Sequence, residues 1–452
     1  MKMRKFIVIA LALVLTVGLL AGCGSTSNTP SGGNQPAGNS GEFKPAALPT
    51  LPDLGGMEPN AWLISQQDQI PLAGVISNHI DSRADVYKAL DKVDLNDKDV
   101  KIAWLSASQG TIFFTTMVQD SAVPQAKEYG YDVTVYDANF DLTTQQEQFE
   151  NVLVQDFDFI VCNAVDMHAE VELYRRAVEE KGIPVLVCGP TSAKPEYPIV
   201  TTVLSGSWAT GYEDGYYTAG ALWGKYPNGI KMGAVINQFG DSDSESRPNG
   251  FLAGYLMKYS ELAGTPYKSK WEAAVIAYNY WHEIRDKGSC NIPGIIDFKQ
   301  VITVNNIATS AAAPKCAELL TGHPDLDVAM CETDSFGLSM VTEVVQTGKK
   351  PGKDIIIVYG SDGTADLCRA VKNGDVLCIG TNVPYYTGAG VIDIIHDIMS
   401  GKDCNDLPAN SYTPTYAVTA ENVDQVWKEG QPYADKSPWQ VQTVAEYNEA
   451  NK

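Results

Sequence analysis

The amino-acid sequence predicts an α/β protein with two lobes, each built on a doubly wound parallel sheet. From residue 101 onward, short apolar runs rich in β-forming residues alternate with longer amphipathic stretches. The short runs are apolar throughout, which is typical of strands buried on both faces of a parallel sheet. The same alternation begins again at residue 231, so we expect two similar units in which helices form right-handed crossovers between strands.

The predicted strands and helices follow each other in a regular order. In the first unit the strands are KIAWLSAS from 101, YDVTVYDA from 131, FDFIVCNAV from 157 and IPVLVCGP from 183, with helical stretches at 117–129, 143–154 and 170–181. In the second unit they are KMGAVINQF from 231, VITV from 301, DVAMCETD from 327, IIIVYGSD from 355 and VLCIGTNV from 376, with helical stretches at 251–262, 311–320, 337–347 and 389–399. An aromatic and charged insertion at 265–300 interrupts the second unit.

Residues 1–22 have the pattern of a lipoprotein signal peptide. A basic start precedes an apolar run over 6–20 and the sequence LAGC, which ends at Cys23. The run is too short for a typical membrane span, and small residues stand where a signal peptidase cuts. We expect cleavage before Cys23 and acyl chains on its thiol; the alternative is an ordinary signal peptide with an incidental cysteine. Residues 23–49, rich in Ser, Gly, Asn and Pro, are predicted to form a flexible tether.

The charge of the chain excludes several classes of partner. The formal net charge is −22, and loss of the basic signal peptide would make it more negative. Such a balance repels phosphate backbones and anionic lipid headgroups, so nucleic acid is not an expected partner. No later apolar stretch is long enough to cross a bilayer, so we expect membrane contact through the lipid anchor alone.

The cysteines do not predict a metal site. Eight of them follow Cys23, at positions 162, 188, 290, 316, 331, 368, 378 and 404. They show no CxxC or other zinc-like spacing, and several lie in apolar runs, where a thiol behaves as a small buried hydrophobe. An even number in an exported chain also permits disulfides, of which Cys368 with Cys378 is one possible local pair.

Motifs of common enzyme classes do not occur in the sequence. GxSxG, GxGxxG, P-loop and HExxH patterns are missing, and the five histidines show no pair at metal-ligand spacing. The segment DSDSE at 241–245 resembles the start of a calcium loop, but Ser246 and Leu252 stand where such a loop has glycine and glutamate. We therefore predict a protein that is not an enzyme and has no metal or other cofactor, and we expect 241–245 to be a solvated acidic loop.

Open α/β sheets bind ligands beyond the carboxyl ends of their strands, and the segments at those ends resemble a known family. Five of them, in order, resemble segments of bacterial solute-binding proteins of the ribose and galactose type, the type I periplasmic binding proteins that serve ABC importers. They are SASQGTIFF at 106–114, RPNGF at 247–251, LLTGHPDLDVAMCETD at 319–334, VYGSDGT at 358–364 and IGTNVPYY at 379–386. The resemblance covers about residues 100–418.

The resemblance implies two lobes joined by a three-segment hinge, with a ligand bound between them. Its crossings would fall near 204–207, 382–385 and 402–406. Lobe 1 would then comprise 99–205 plus 384–402, and lobe 2 would comprise 206–383 plus 403–418. Residues 50–98 would form an N-terminal extension, and 419–452 a C-terminal extension whose aromatic residues predict packing on a lobe.

The resemblance also implies aromatic ligand contacts. Phe113 and Phe114 stand where the family places aromatic faces against a sugar ring; the alternative is that the pair packs in the core. Thr111 replaces an amide that commonly precedes this pair. Trp208, at the first predicted crossing, is a further aromatic candidate.

Polar contacts are implied mainly in lobe 2. Arg247 matches a guanidinium that binds ring oxygens; its alternative, a surface residue at a helix N-terminus, would be unfavourable beside the positive end of the helix dipole. Asp362 matches a carboxylate that accepts from two hydroxyls, and Asn382 matches an amide at the hinge, with a helix cap and a turn residue as the respective alternatives. Thr333 stands where ribose-type members have asparagine, and Asp334 beside it is either a ligand residue or an N-cap.

Besides Thr111 and Thr333, the sequence departs from the family at two further places. Cys188-Gly189-Pro190 stands where ribose and galactose binders place an acidic and a basic residue, so we expect the polar contacts of lobe 1 to be missing. Ile307 stands where an aromatic side chain often closes the lobe 2 side. Such a pocket suits a less hydroxylated or modified sugar, a nucleoside-like ring or a small signalling carbohydrate.

The function implied by the resemblance is capture of a small carbohydrate-like ligand and its delivery to an ABC permease. The receptor would be a monomer, lipid-anchored to the cell membrane and facing the extracytoplasmic side. The alternatives are a ligand sensor for a membrane kinase or chemoreceptor, and a binder of a non-sugar solute such as a nucleoside. A transcriptional repressor of related fold is excluded by the LAGC signal and by the lack of a basic helix-turn-helix before residue 100.

Overall fold

A computed structural model of the chain describes residues 43–66, 83–166, 169–189, 198–306, 308–402, 410–413, 415–427 and 440–441. The predicted signal peptide and lipidation site, Cys404, Pro190 and Ile307 lie outside these ranges, as does much of the predicted C-terminal extension. Within these ranges, none of the helices combines the length and apolarity that a membrane span requires.

Twelve strands form two sheets. In chain order they are β1 Lys101–Ser106, β2 Asp132–Asp137, β3 Phe159–Cys162, β4 Val185–Cys188, β5 Thr202–Ser205, β6 Ile230–Ile236, β7 Cys290–Ile292, β8 Ile296–Thr303, β9 Val328–Cys331, β10 Ile356–Val358, β11 Asn410–Thr413 and β12 Gln440–Val441. The first sheet has the order β12-β11-β5-β4-β3-β1-β2, and the second has the order β10-β9-β6-β8-β7.

Helices connect the strands. They are α1 Pro59–Ser65, α2 Arg83–Leu90, α3 Ile112–Thr115, α4 Val123–Tyr129, α5 Leu142–Val152, α6 Val171–Arg175, α7 Ser207–Leu222, α8 Ser242–Leu262, α9 Lys270–Lys287, α10 Thr309–Gly322, α11 Asp334–Gln346, α12 Ala365–Asn373, α13 Pro384–Met399 and α14 Val423–Val426. Two π-helical segments, Thr116–Ala122 and Arg176–Lys181, continue α3 into α4 and extend α6.

The predicted fold class is confirmed. Within both sheets the strands pair in parallel, except that β12 and β7 run antiparallel to their neighbours β11 and β8. The central strands are apolar and buried along their length, as β3 and β9 show. Lobe 1 is the first sheet with the helices packed on it, and lobe 2 is the second sheet, which has a hydrophobic cluster on each face.

Local sequence explains where the main helices begin and end. The Asp141 carboxylate accepts from the backbone N–H of Thr144 at the start of α5, and Ser269 does the same for Glu272 at the start of α9. Gly130 and Gly374 end α4 and α12 with φ of 83° and 80°, which is the left-handed region that a residue with a Cβ rarely adopts. The helices therefore have sharp limits, and the loops at the ends of the strands are fixed in place.

The prediction that 403–418 belongs to lobe 2 is wrong for β11. This strand pairs in parallel with β5 in the first sheet. Without it, the backbone of β5 would form an open edge, so the pairing satisfies otherwise free peptide groups. The third passage between the lobes consequently falls between 413 and 418, where Val418 bridges Ile379 of lobe 2, and not near 402–406.

The predicted tether is also too long at its C-terminal end. Residues 43–49 pack on lobe 2: the Phe43 ring meets Trp223 edge-on at 4.9 Å, and the backbone N–H of Ala46 donates to the Tyr259 hydroxyl at 2.9 Å. The insertion that follows α8 supplies α9, which packs on α8, and β7, which covers the edge of β8. Lobe 2 thus carries an additional layer that the alternating pattern does not indicate.

Candidate ligand-binding cleft

A cavity of about 580 Å³ lies between the carboxyl ends of the two sheets. Lobe 1 lines it with residues from 110–117, Phe140, 163–165 and the end of β4, and lobe 2 lines it from the first turns of α8, α11 and α12. This is the volume typical of a small-molecule site. The cavity has the position that doubly wound sheets give to their ligand sites.

The structure brings most of the predicted site residues together at this cavity. Those that line it are Thr111, Phe113, Phe114, Arg247, Thr333, Asp334, Asp362 and Asn382. Their contact with a ligand remains a prediction, but their convergence from five separate parts of the sequence satisfies its geometric requirement.

Trp208 is an exception, and its prediction as a ligand residue is wrong. Its side chain is 2% exposed and does not line the cavity. The indole Nε1 donates to Asn249 Oδ1 at 2.8 Å, and the ring stacks on Tyr212 and Trp271 with centroids 5.3 Å and 5.5 Å apart. Trp208 therefore packs α7 against α8 and α9.

The lobe 1 wall is aromatic. The rings of Phe113 and Phe114 meet at right angles with centroids 5.1 Å apart, and Phe140 lies 5.7 Å from Phe114. Phe113 lines the cavity and also packs against the lobe 1 core, so the packing alternative holds and its contact with a ligand stays a prediction. Phe140 was not predicted because it lies outside the five segments that resemble the family, although it comes three residues after the end of β2. Thr111 starts this segment, and its hydroxyl accepts from the backbone N–H of Phe114 at 3.5 Å.

Lobe 1 also presents one buried amide. Asn163, directly after β3, is 7% exposed and lines the cavity. Its Nδ2 donates to the Cys188 carbonyl at 2.8 Å, which orients the side chain, and its Oδ1 has no hydrogen-bond partner. Asn163 is a polar group of lobe 1 at the cavity, but it carries no charge and does not replace the acidic and basic residues that are missing at 188–190. Asn163 could have been found, since it is the first polar residue after an apolar run.

Arg247 is at the centre of the lobe 2 wall. It lies in the second turn of α8 and is only 5% exposed, which rules out the surface alternative. Its guanidinium contacts Glu332 Oε1 at 3.3 Å and Asp243 Oδ2 at 3.7 Å, while its Nε has no partner. Asp243 in turn accepts from the Ser207 hydroxyl at 2.7 Å, next to the first passage between the lobes. Carboxylates thus hold the guanidinium from two sides.

Close packing of α7 on α8 sets the position of Arg247. A Cβ at Gly211 would lie 2.2 Å from the Arg247 carbonyl oxygen, and one at Gly250 would lie 2.1 Å from the Trp208 carbonyl oxygen. Glycine at both positions allows the two backbones to touch. The segment before Arg247 is not the solvated loop that was predicted: Asp241 caps α8, and Glu245 is buried and accepts from Trp281 Nε1 at 2.6 Å.

Asp334 connects two loops of the lobe 2 wall. The N-cap of α11 is Thr333, which accepts from the backbone N–H of Phe336, so the capping alternative for Asp334 is wrong. The Asp334 carboxylate accepts instead from the backbone N–H of Asp362 at 2.9 Å and from the Thr364 N–H and hydroxyl at 2.6 Å and 2.7 Å. Burial, and then the charge of Asp362, raise the pKa of Asp334 to about 7.

Asp362 and Asn382 complete this wall. Asp362 Oδ1 accepts from the Ser361 hydroxyl at 3.1 Å, and the Asn382 side chain also hydrogen-bonds to the Asp362 carboxylate. Burial raises the pKa of Asp362, and burial raises the pKa of Glu332 to about 7. Asn382 lies just before α13, where the chain passes between the lobes, so it links the wall to the hinge.

The cysteines described by the structure are buried and free. They are Cys162, Cys188, Cys290, Cys316, Cys331, Cys368 and Cys378. The buried-hydrophobe prediction is confirmed for these positions, and the possible pair Cys368 with Cys378 is not formed. In the described ranges, no group of His, Cys, Asp and Glu side chains could hold a metal ion.

Comparison with known proteins agrees with this architecture. A family model described as periplasmic binding protein domain matches residues 102–403. The ribose import binding protein of Salmonella typhimurium is 22% identical over 302 residues, which cover 67% of this chain and 85% of that protein. The crystal structure of an ABC transporter solute-binding protein from Mycobacterium smegmatis, with bound glycerol, matches with a TM-score of 0.58 at 20% identity over 75% of this chain and 100% of that one. One from Actinobacillus succinogenes, with bound D-allose, matches with a TM-score of 0.57 at 19% identity over 72% and 100%.

Proposed function

The chain belongs to the periplasmic binding protein domain family, which is a family of binding proteins and not of enzymes, and from this premise we propose its role. It is an extracytoplasmic solute-binding lipoprotein that captures a small carbohydrate-like ligand between its lobes and delivers it to an ABC importer permease. The observation that carries the proposal is the composition of the cleft. An aromatic wall from lobe 1 faces a hydrogen-bonding wall from lobe 2 across a cavity of about 580 Å³.

The two walls match the two kinds of surface on a sugar. The C–H face of a pyranose or furanose packs on aromatic rings such as Phe113 and Phe114. Its hydroxyl rim is suited to the Asp362 carboxylate and the Arg247 guanidinium, which line the cavity and form stronger hydrogen bonds than neutral groups do. The matching ribose import binding protein, and the neighbour with bound D-allose, support a sugar as the ligand.

Closure of the lobes is the proposed response to the ligand. Few residues join the lobes, at 205–207, 382–384 and 413–418, so the lobes can rotate as rigid bodies. A ligand that contacts both walls binds the closed form better than the open form and shifts the population toward it. The closed form is then the one that a permease would recognise.

A thermal-shift screen tests the sugar proposal. Monosaccharides, polyols, nucleosides and amino acids are added separately to the protein, and we expect a saturable rise in melting temperature with a member of the carbohydrate group. At a hundredfold its dissociation constant, such a ligand adds about 2.7 kcal/mol to the free energy of unfolding. A shift produced only by an amino acid or a nucleoside would contradict the proposal.

The lipid anchor is proposed from the segment LAGC and tested separately. Expression of the full chain in a bacterium fed a labelled fatty acid should give a labelled protein in the membrane fraction. A Cys23→Ser variant should lose the label and the fractionation with membranes. Equal labelling of both proteins would contradict lipidation at Cys23.

A further inference from the structure

The charges that line the cleft are unevenly balanced. Arg247 is the one basic side chain among the lining residues that the structure describes, and no charged side chain of lobe 1 lines the cavity there. Six carboxylates line it from lobe 2: Asp241, Asp243, Glu332, Asp334, Asp362 and Asp366. Arg247 pairs with Asp243 and Glu332, and Arg369 pairs with Asp366, so two guanidinium groups face six carboxylates and the wall retains an excess of acidic side chains.

The excess is concentrated at two adjacent carboxylates. The backbone N–H of Asp362 donates to Asp334 Oδ1 at 2.9 Å, which keeps the two side chains close, and the charge of Asp362 contributes to the raised pKa of Asp334. No basic side chain in the described part of the chain forms an ion pair with either of them within 4 Å. The charge of Arg247 opposes the effect of burial on the pKa of Asp362, whereas Asp334, which is 2% exposed, has no basic partner among the described residues. A buried carboxylate without a counter-charge costs free energy, and lobe closure, which excludes water, would increase that cost.

Unpaired acceptors provide an independent observation. Asn163, which is 7% exposed, lines the cavity from lobe 1, and its buried Oδ1 accepts no hydrogen bond. Asn237 Oδ1, on the lobe 2 side, has no partner either. A hydroxyl group can donate or accept, but an ammonium group has three donors and no acceptor. The cleft therefore offers the partners that an ammonium group requires.

The aromatic wall is compatible with a positive charge. The faces of Phe113, Phe114 and Phe140 surround the lobe 1 side of the cavity, and an aromatic face attracts a cation within about 6 Å of the ring centroid. A bare metal ion is a poor candidate for this charge, because the described residues contain no group that could hold one.

We propose that the ligand of this cleft is a small polyhydroxylated compound that carries a protonated amino group, such as an amino sugar or an amino polyol. The inference rests on the proposed function and specifies its substrate class. The ammonium group lies against the carboxylates of Asp334 and Asp362 and donates to the free amide oxygens, and the ring packs on the phenylalanines. A carboxylate or phosphate on the ligand would be repelled.

Calorimetric titration with matched compounds tests the proposal. D-Glucosamine, D-galactosamine and D-mannosamine are each compared, near neutral pH, with the parent hexose and with the N-acetyl derivative, which has similar shape and no charge. We expect at least one amine to bind ten-fold or more tightly than both of its neutral counterparts, and D-glucuronate not to bind. Neutral sugars that bind as tightly as the amines would overturn this inference and leave the proposed function standing. If nothing carbohydrate-like binds, the proposed function itself fails.

A charge-neutralising variant tests whether the Asp362 carboxylate causes the preference for the amine over the parent sugar. Asp362→Asn keeps an acceptor and removes the charge, so it should lower the ratio of amine to parent affinity by about ten-fold while the protein melts as the wild type does. Asp156→Asn, at a side chain that is 99% exposed on lobe 1, is the matched control and should leave the ratio unchanged. Should Asp362→Asn fail to fold, Asp334→Asn replaces it, because Asp334 is the other carboxylate against which the ammonium group lies. An unchanged ratio in a folded cleft variant would overturn the proposal.

Discussion

The two walls of the cleft differ in chemistry and in how the chain builds them. The lobe 1 wall consists of phenylalanines around α3 and one amide after β3, and no charged side chain described there lines the cavity. The lobe 2 wall consists of carboxylates and Arg247 at the starts of α8, α11 and α12. Helix N-termini favour carboxylates, so the backbone of lobe 2 supports the negative charge that its side chains concentrate. Lobe 1 therefore contributes a surface for the apolar face of a ligand, and lobe 2 contributes its hydrogen bonds and charge.

Among the variants that test the difference between the two walls, Arg247→Ala should cause the largest loss of stability. The change leaves Glu332 and Asp243 buried without their shared counter-charge, and breaking a buried ion pair in this way costs about 3–5 kcal/mol of stability. Chemical denaturation measures the loss. The double variant Arg247→Met with Glu332→Gln should recover part of it, because it removes both charges. A loss below about 1 kcal/mol for Arg247→Ala would show that the network contributes little.

Removal of the Asp362 carboxylate should affect binding and leave folding largely intact. In Asp362→Ala, the backbone N–H that donates to Asp334 remains, so the unliganded protein should melt near the wild-type temperature. The saturable stabilisation by ligand, about 2.7 kcal/mol at a hundredfold the dissociation constant, should disappear. A variant that unfolds without ligand would instead indicate a structural role for this carboxylate.

The packing of α7 on α8, which positions Arg247 in the lobe 2 wall, can be weakened without a change of charge. Gly211→Ala places a methyl group against the Arg247 backbone and should cost about 1–3 kcal/mol by forcing α7 from α8. Gly220→Ala lies in the same helix, where the nearest atom is 3.7 Å away on the Lys258 side chain, and is the matched control. It should be neutral or stabilising by up to about 1 kcal/mol. Equal losses in both variants would contradict the proposed contact.

A smaller effect is expected from a buried acid of lobe 1. Glu170 is fully buried, neither of its carboxylate oxygens has a partner, and burial raises its pKa to about 7. Between the unfolded pKa of about 4.3 and pH 7 the folded state binds more protons, so this group lowers stability as pH rises. Glu170→Gln should raise the melting temperature at pH 8 and change it little at pH 4. If the melting temperature of Glu170→Gln depended on pH as that of the wild type does, the raised pKa of Glu170 would be contradicted.

Local patterns in the sequence could predict the sheets and much of the cleft. The apolar runs gave the central strands of both sheets, and the residues after them gave Asp334 and Asp362. Asn163 follows the same rule and was available to it. Phe140 was missed because it lies outside the segments that resemble the family, and its own surroundings in the sequence do not mark it as a cavity residue.

Pairings between distant parts of the chain could not be predicted in this way. The strand β11 pairs with β5, which lies about two hundred residues earlier in the chain. The composition of β11 does not indicate which strand of which sheet it pairs with. Trp208 was misplaced for a similar reason, since its partners Asn249 and Trp271 lie in later helices. An aromatic residue at a crossing is compatible with a ligand or with packing, and only the long-range contacts decide between the two.

A crystal structure with the carbohydrate that gives the largest thermal shift would test the central claim most directly. We expect its ring on the faces of Phe113 and Phe114, with hydrogen bonds to Arg247 and Asp362, so that both lobes contact one molecule. A ligand that touches one lobe alone, or binds outside this cleft, would contradict the account.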